Sequence, residues 1–429
     1  MREIIDIFKN ISKIPHCSFK TDKFRDFLIK EGKNTLANVS IDRFGNILFK
    51  KGSPKIALQA HYDMVCIGKA PNIEIIEEDG FLKAVDSSLG ADNGIGVAMG
   101  LYFLKKYKNI EVLLTSDEEV GLIGAQNLEL SLESKNLLNL DSEEEGDIFV
   151  GCAGGVDIFA KKKIEFEKID IKKEYSFFKI SIKNLPGGHS GIDIDKGIKN
   201  AIKELAYLLK DLGDIKIVSI EGGEALNSIA KNAYAIVASK NLKECFEDNF
   251  EIVKLDENFE KSIKDTNELI NMLCSFSQGV RSWERRFDIP KTSINLGKVY
   301  IENNFLNMEF FARSMENEEL ERIKKETICF LESFDFFIET KHQFPAWKPD
   351  INDFSKKVLE ISKKYFKNPK FKAIHAGLEC GILKDKFKSI NVVSIGPNIY
   401  FPHSTKERCE IDSVFRVAKV VDELIKELQ

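Results

Sequence analysis

The residues best placed to do chemistry together are two histidines and a group of carboxylates, each lying at or just beyond the end of an apolar run. His61 stands in Ala60-His61-Tyr62-Asp63 after the run 55–59, and Asp117, Glu118 and Glu119 follow the run 111–115. Asp141 follows the run 136–140 and opens Asp141-Ser142-Glu143-Glu144-Glu145, while His403 comes eight residues after the run 391–395. Asp92 sits in the glycine-rich turn Leu89-Gly90-Ala91-Asp92-Asn93-Gly94-Ile95-Gly96. Imidazoles and carboxylates without a thiolate suit a hard-to-borderline divalent cation, with zinc the leading choice and cobalt or manganese the other ions considered. The number of acids argues for two ions that share one bridging carboxylate, an arrangement that activates water between metals. One carboxylate must then stay unligated to take the water's proton. Glu118 and Glu119 suit that division of labour, and on the residues alone Asp117 is an equal choice.

Taken singly, each motif has an ordinary explanation. His61 with Asp63 reads as a buried ion pair at a strand end, since residues two apart on a strand face the same way. Asp92 before a helical pattern reads as an N-cap. Three adjacent carboxylates at 117–119 are harder to dismiss, because such crowding is unfavourable unless solvent or a cation offsets it. The recurrence at four strand ends is what points to a site, since ligands in open α/β sheets gather beyond the carboxyl ends of the strands.

The elements that must position these side chains follow from the hydrophobic pattern. Short apolar runs at 55–59, 111–115 and 136–140 alternate with a helical periodicity over 95–107, the signature of a layered α/β domain. The charged stretch 161–173 interrupts this pattern and marks a domain boundary. Beyond it come a strand ending at Lys183, a glycine-rich loop, a helix over 196–210 and strands near 215–220 and 233–239. A helix over 262–276, strands over 292–300 and 305–313, and a helix over 316–330 complete a separate α+β unit. The proline-bearing segment 344–349 is the return point, after which a helix (354–365) and a strand (391–395) resume the first style. The expected organisation is a catalytic domain in two segments, 1–172 and 344–429, with 173–343 inserted.

A length of 429 residues fits two domains, and 43% hydrophobic with 31% charged residues is the balance of an ordinary folded protein. A net charge of −5 gives no reason to expect a nucleic-acid or membrane-surface partner. The amphipathic start, Met1-Arg2-Glu3-Ile4-Ile5-Asp6-Ile7-Phe8, lacks the uninterrupted apolar core of a signal peptide, and no run is long enough to span a bilayer. Eight cysteines scattered singly, with no C-x-x-C pair, read as reduced cytoplasmic thiols rather than a disulfide framework or thiolate zinc site. A cytoplasmic enzyme is the expectation.

Several blocks resemble the co-catalytic zinc peptidase family that includes carnosinases, succinyl-diaminopimelate desuccinylase and carboxypeptidase G-type enzymes. They are Gln59-Ala60-His61-Tyr62-Asp63, Leu89 to Gly96, Asp141 to Gly146, Gly151-Cys152-Ala153-Gly154-Gly155, Pro186-Gly187-Gly188-His189-Ser190-Gly191, His375-Ala376-Gly377-Leu378-Glu379-Cys380-Gly381 and Phe401-Pro402-His403-Ser404. The resemblance implies a central mixed β-sheet flanked by helices, plus an inserted α+β lid through which a homodimer forms. It makes Asp92 the bridge, with one zinc on His61 and Asp141 and the other on Glu119 and His403. It gives Asp63 the task of orienting His61, and it selects Glu118 as general base.

The same resemblance points His189 at the substrate carbonyl, in cis or in trans, as an oxyanion donor. Arg313 would grip a dipeptide's free carboxylate through a bidentate pair, Asn227 would contact the oxyanion, and Glu379 would meet the free amino group. Where many relatives carry arginine after the asparagine of this segment, the chain has Lys231, which lacks the planar guanidinium fork. The function implied is hydrolysis of dipeptides with a free N-terminus. An amidase or deacylase acting on N-acyl amino acids is the enzymatic alternative. A metal-stabilised binding module is the third reading, disfavoured because a binder has no use for an unligated Glu118.

Overall fold

In the computed structural model, which describes residues 1–169 and 175–429, the apolar runs that carry the acids become neighbouring strands of one sheet. Ala57–His61 lies between Ile110–Thr115 and Asn136–Asn139, and Asn391–Ser394 lies beyond Asn136–Asn139; all three pairings are parallel. Ala57–His61 and Ile110–Thr115 are buried along their whole length. That is why they read as continuous apolar runs without alternation: central parallel strands are covered on both faces. Ile47–Lys51 and Asn38–Ile41 extend one side of the sheet in antiparallel fashion, and Asp147–Cys152 and Lys370–Ile374 extend the other. The shared direction of the four central strands brings His61, Thr115, Asn139 and Ser394 to the same edge. The apolar helix Ala91–Lys106 packs on Ala57–His61 and Ile110–Thr115, while Asp353–Ser362 and Glu379–Lys386 pack on Asn391–Ser394.

The second unit is an antiparallel sheet with helices on it. Its longest strands, Ile289–Glu302 and Phe305–Ser314, form a hairpin whose two turn residues, Asn303 and Asn304, both have positive φ (52° and 62°), the backbone that a tight hairpin of matched twist requires. Gly154–Lys163 pairs with Phe305–Ser314 along its length and with Phe337–Phe344 on its other edge. Ser176–Ile182, Ala233–Ser239 and Lys216–Gly222 continue the sheet on the other side of the hairpin. Helix Ala201–Leu212 starts later than the periodicity predicts because Asn200 caps it, its side chain accepting from the Ile202 and Lys203 amides. Apolar faces of this helix, of Thr266–Ser275 and of Asn317–Glu332 close the core against the strands.

The chain divides into Met1–Cys152, Trp347–Ala373 and Leu378–Gln429 on one hand, and Ala153–Ala346 with Ile374–Gly377 on the other. The expected boundary between 172 and 173 lies outside the described residues, and the observed division comes earlier. The reason is strand pairing: Gly154–Lys163, which the pattern assigned to the first domain, is hydrogen-bonded into the antiparallel sheet. The charged stretch that follows marks the exposed end of that strand. The return falls at Trp347 instead of 344, and Trp347 is buried against the first unit, bridging Cys152. No helix among the described residues is long and apolar enough to cross a membrane.

The expectation of eight reduced thiols is corrected at one place. Cys17 and Cys66 are joined by a disulfide, their Cα atoms 5.5 Å apart across a sequence separation of 49. A parallel bridge between Cys17 and Met64 lays the loop after the first helix along the chain leaving Ala57–His61, and this brings the two cysteines together. Nothing in their spacing announces it. The other six remain thiols. Alkylation of the unfolded, unreduced chain should label six cysteines and, after reduction, all eight; mass spectrometry finding eight labels without reductant would contradict the link. Closing a loop of this length contributes up to about 4 kcal/mol, so Cys66→Ser should lower stability by no more than that.

Candidate functional site

In the first unit, the parallel strand ends converge five of the predicted side chains. His61, at the end of its strand and buried, has Nε2 3.3 Å from Asp92 Oδ1 and 3.3 Å from Asp141 Oδ1. His403 Nε2 lies 3.2 Å from Asp92 Oδ2 and 2.9 Å from Glu119 Oε2. The two oxygens of Asp92 therefore face different imidazoles. Ligand atoms of His61, Asp92 and Asp141 lie within 4.8 Å of one another, as do those of Asp92, Glu119 and His403. A third set with the same spacing, His61 with Glu118 and Glu119, places Glu118 beside the group but outside both sets that share Asp92.

Asp63 holds this arrangement from beneath. The His61 Nδ1–H donates to the Asp63 backbone carbonyl at 3.1 Å, with Asp63 Oδ1 3.5 Å away, and this leaves Nε2 to face the acids. The same carboxylate accepts from the amides of Glu118 (2.9 Å) and Glu119 (3.3 Å) and from the Ser18 hydroxyl (2.8 Å). One side chain thus fixes the histidine's tautomer and the start of the Glu118–Glu119 loop, the role that a partner behind a metal ligand plays. Burial alone would raise its pKa, but the His61 contact and these donors hold it below the usual carboxylate value. The Asp117 carboxylate turns away to accept from the Phe19 amide at 2.6 Å. That contact removes it as an equal choice for the base.

Asp92 owes its position to a backbone that is not helical. Asp92 (φ −83°, ψ 106°) and Asn93 interrupt the start of helix Ala91–Lys106, and regular helix resumes close to the predicted 95. Gly90 precedes it with φ +68°, and a Cβ there would sit 2.9 Å from the Met64 sulfur, so the turn demands glycine. The Asn93 side-chain amide donates to the Leu140 carbonyl at 2.7 Å and ties the Asp92 turn to the strand end that delivers Asp141.

Five carboxylates face two imidazoles here, so charge governs the site. Burial pushes Glu118 well above the usual carboxylate value, with the charges of Asp141, Glu119 and Glu379 adding to it against His61. Burial likewise lifts Asp141 to about 6. Burial opposes the charged form of His61, but Asp141, Asp63 and Asp92 overcome it and raise the imidazole well above its ordinary value. Hydrogen bonds to Asp92 and Glu119 lift His403 to about 11. Asp141 Oδ1 is buried without an aligned donor although His61 lies near. Convergent oxygens and imidazole nitrogens, an orphaned carboxylate oxygen and excess negative charge fit divalent cations.

Glu379 is buried at the edge where the parallel strands end. It opens helix Glu379–Lys386 with no exposed surface, and its Oε2 accepts from Gln59 Nε2 (2.6 Å) and the Thr115 hydroxyl (2.7 Å). Its Oε1 has no partner. Gln59 and Thr115 look like plain strand residues in the sequence, and only the sheet register reveals them as its supports.

In the second unit, His189 and Arg313 come together with His375, which belongs to the block 375–381. His189 Nδ1 accepts from the amides of Gly191 and Ile192, both at 3.2 Å, so its proton resides on Nε2. Burial and the charge of Arg313 lower its pKa to about 4 and keep the ring neutral. Arg313 is 4% exposed, stacks 4.0 Å over the Phe311 ring and leaves its Nε without an acceptor. Among the described residues no carboxylate forms an ion pair with it. His375, also buried, shares a 2.7 Å hydrogen bond with the Ser293 hydroxyl. A Cβ at Gly191 would lie 2.4 Å from the His375 carbonyl and 3.1 Å from Arg313 Nε, so this cradle accepts only glycine. Asn227 is exposed, and its carbonyl accepts from the Ser190 amide while Ser228 pairs with His189. The Lys231 stem lies against Gly187 in the same loop cluster.

Comparison with known proteins agrees with this architecture. The model of "Peptidase family M20/M25/M40" matches residues 57–427. The cytosol non-specific dipeptidase of Escherichia coli (strain K12) is 31% identical, over 99% of this chain and 97% of that protein. The crystal structure of aminoacylhistidine dipeptidase from Vibrio alginolyticus superposes with a TM-score of 0.85 at 28% identity, covering 98% of this chain and 96% of that one. Human carnosine dipeptidase 1 shares the fold at a TM-score of 0.54 and 14% identity, over 100% of this chain and 97% of that one.

The raised imidazole values set a direction for pH. In the metal-free chain at neutral pH both histidines hold protons, which a ligating metal must displace. Affinity for a divalent ion should therefore rise with pH, on the order of tenfold per unit for each proton released. The stabilisation that the clamped histidines give the metal-free fold runs the other way: it is complete below the unfolded value near 6.5 and disappears as pH rises through about 11 for His403. Calorimetric titrations in buffers of different ionisation enthalpy measure the release, and an affinity independent of pH would contradict protonated histidines.

Proposed function

The chain belongs to peptidase family M20/M25/M40, and on that premise we propose that it is a dipeptidase cleaving dipeptides with a free N-terminus at a pair of divalent ions. The observation that carries the proposal is the split of Asp92, whose two oxygens face His61 and His403 separately while Glu118 stays outside both sets. His61 and Asp141 would hold one ion, Glu119 and His403 the other, with Asp92 shared; zinc is the ion we favour. Such a pair, when bound, supplies a Lewis-acidic centre that polarises the scissile carbonyl and makes water a better nucleophile.

The chain's own groups do the rest. A Glu118 carboxylate oxygen takes the proton of the attacking water and returns it to the leaving amine. Asp63 keeps His61 in the tautomer that leaves Nε2 free. Neutral His189, in cis or in trans, offers its Nε2–H to the developing oxyanion, a donor of the kind that contributes about 3–4 kcal/mol when well placed, and Asn227 joins it. Arg313, buried without a carboxylate partner, is assigned to the peptide's terminal carboxylate.

Glu379, whose Oε2 is held by Gln59 and Thr115 while Oε1 has no partner, is assigned to the peptide's free amine. An N-acyl-amino-acid deacylase using the same metal-competent residues is the second reading, since it requires no receptor for a free amine. A cytosolic location, by analogy with the Escherichia coli relative, and a homodimer formed through the second unit complete the proposal; light scattering at micromolar concentration tests the latter.

Two measurements test the function. A panel of dipeptides, tripeptides and N-acetyl amino acids on zinc-loaded protein should give turnover of dipeptides alone; preference for the acetylated compounds would replace the proposal with the deacylase. Glu118→Gln should lower kcat by roughly 10²–10⁴-fold while leaving the zinc content unchanged, and wild-type turnover in that variant would remove Glu118 as the base. Arg313→Met should raise KM for dipeptides far more than for dipeptide amides, and an equal effect on both would exclude it as the carboxylate receptor.

A further inference from the structure

Glu407 is a buried carboxylate to which the site's chemistry assigns nothing. It is 3% exposed, yet no side-chain cation among the described residues forms an ion pair with it. Its partners are four consecutive backbone amides: Oε2 accepts from Leu89 (2.7 Å) and Gly90 (3.0 Å), and Oε1 from Ala91 (2.8 Å) and Asp92 (3.3 Å). These amides belong to the turn that leads into helix Ala91–Lys106, before its regular geometry begins, and a buried amide needs an acceptor. The carboxylate therefore grips the turn that presents Asp92.

At its other end Glu407 belongs to the loop of His403. The Glu407 amide donates to the Ser404 carbonyl at 3.2 Å, and the Ser404 hydroxyl donates to the Phe401 carbonyl at 2.7 Å. Phe401 and His403 both have positive φ, 55° and 54°, so this loop holds a backbone that its own sequence does not favour. The remaining metal-competent residues have firmer anchors. His61 ends a buried strand above Asp63, Glu119 is tied by its amide to Asp63, and the strand end before Asp141 is held by Asn93. His403 is 47% exposed on its loop, and the buried link from that loop to the Asp92 turn runs through Glu407.

We propose that Glu407 is a positioning residue: its carboxylate locks the Asp92 turn to the His403 loop and so sets the affinity of the Asp92–Glu119–His403 set, leaving the His61–Asp92–Asp141 set largely to its strand anchors. The proposal rests on the two-ion reading above. Glu407→Gln keeps the shape but turns an NH2 group toward two of the four amides.

The test titrates zinc into the full, chelator-treated chain by calorimetry, wild type against E407Q, with the melting temperature of each metal-free protein recorded alongside. The wild type should bind two zinc ions. In E407Q the first should bind as in the wild type and the second should weaken by roughly 10–100-fold, the range for partners behind a metal ligand. The fall in kcat at limiting zinc should recover at high zinc with KM unchanged. Two wild-type affinities in E407Q would overturn the proposal, as would equal weakening of both ions together with a lower metal-free melting temperature, which marks a merely structural residue. If E407Q does not fold, E407D carries the same contrast, since it keeps the charge but draws it back by one methylene. A wild-type isotherm with fewer than two zinc ions would sink the two-ion reading and this proposal with it, and the wild-type trace alone distinguishes that failure from the others.

Discussion

Uncompensated negative charge is the constraint around which the first unit is organised. Parallel strands deliver Asp63, Glu118, Glu119 and Asp141 to one edge of a buried sheet, and the turn into helix Ala91–Lys106 adds Asp92, against two imidazoles. An ionised carboxylate taken out of water without partners is unfavourable by several kcal/mol, so each acid must be bonded, protonated or paired with a cation. Asp63 follows the first course, saturated by a hydroxyl, two amides and His61. Asp92 and Glu119 have imidazoles as their nearest opposing charges, and Asp141 retains an orphaned oxygen. A cation would satisfy all three at once, and Glu118, left outside the two sets that share Asp92, is the carboxylate left free to take a proton.

The second unit has the opposite character. His189 and His375 are held neutral by burial and by Arg313, His375 at about 3, and the guanidinium has no carboxylate of its own. Acid crowding thus dominates the cluster in the first unit, and a buried guanidinium without an ion-pair partner among the described residues dominates the cluster in the second.

Much of this was legible in the sequence, and for a physical reason. Fully buried parallel strands have to be apolar throughout, so the runs before His61, Asp117 and Asp141 announced themselves, and the acids stood out as polar residues at the ends of apolar segments. What was not legible depended on tertiary partners. Gly154–Lys163 alternates as any half-buried strand does, and only its pairing shows which sheet owns it. Cys17 and Cys66 meet through an isolated bridge between loops. The burial of Glu379 and Glu407 depends on partners distant in sequence, a glutamine and a threonine in one case and backbone amides in the other. His375 was visible in its motif but could not be assigned before Ser293 and Arg313 were seen beside it.

The central claim is that the acidic edge exists to hold two cations on a shared Asp92. Anomalous diffraction above the zinc absorption edge, from crystals of the wild-type chain grown with zinc, addresses it directly. The account predicts two peaks flanking the Asp92 carboxylate, one beside His61 and Asp141 and the other beside Glu119 and His403. A single peak, or none within bonding distance of Asp92, would contradict it.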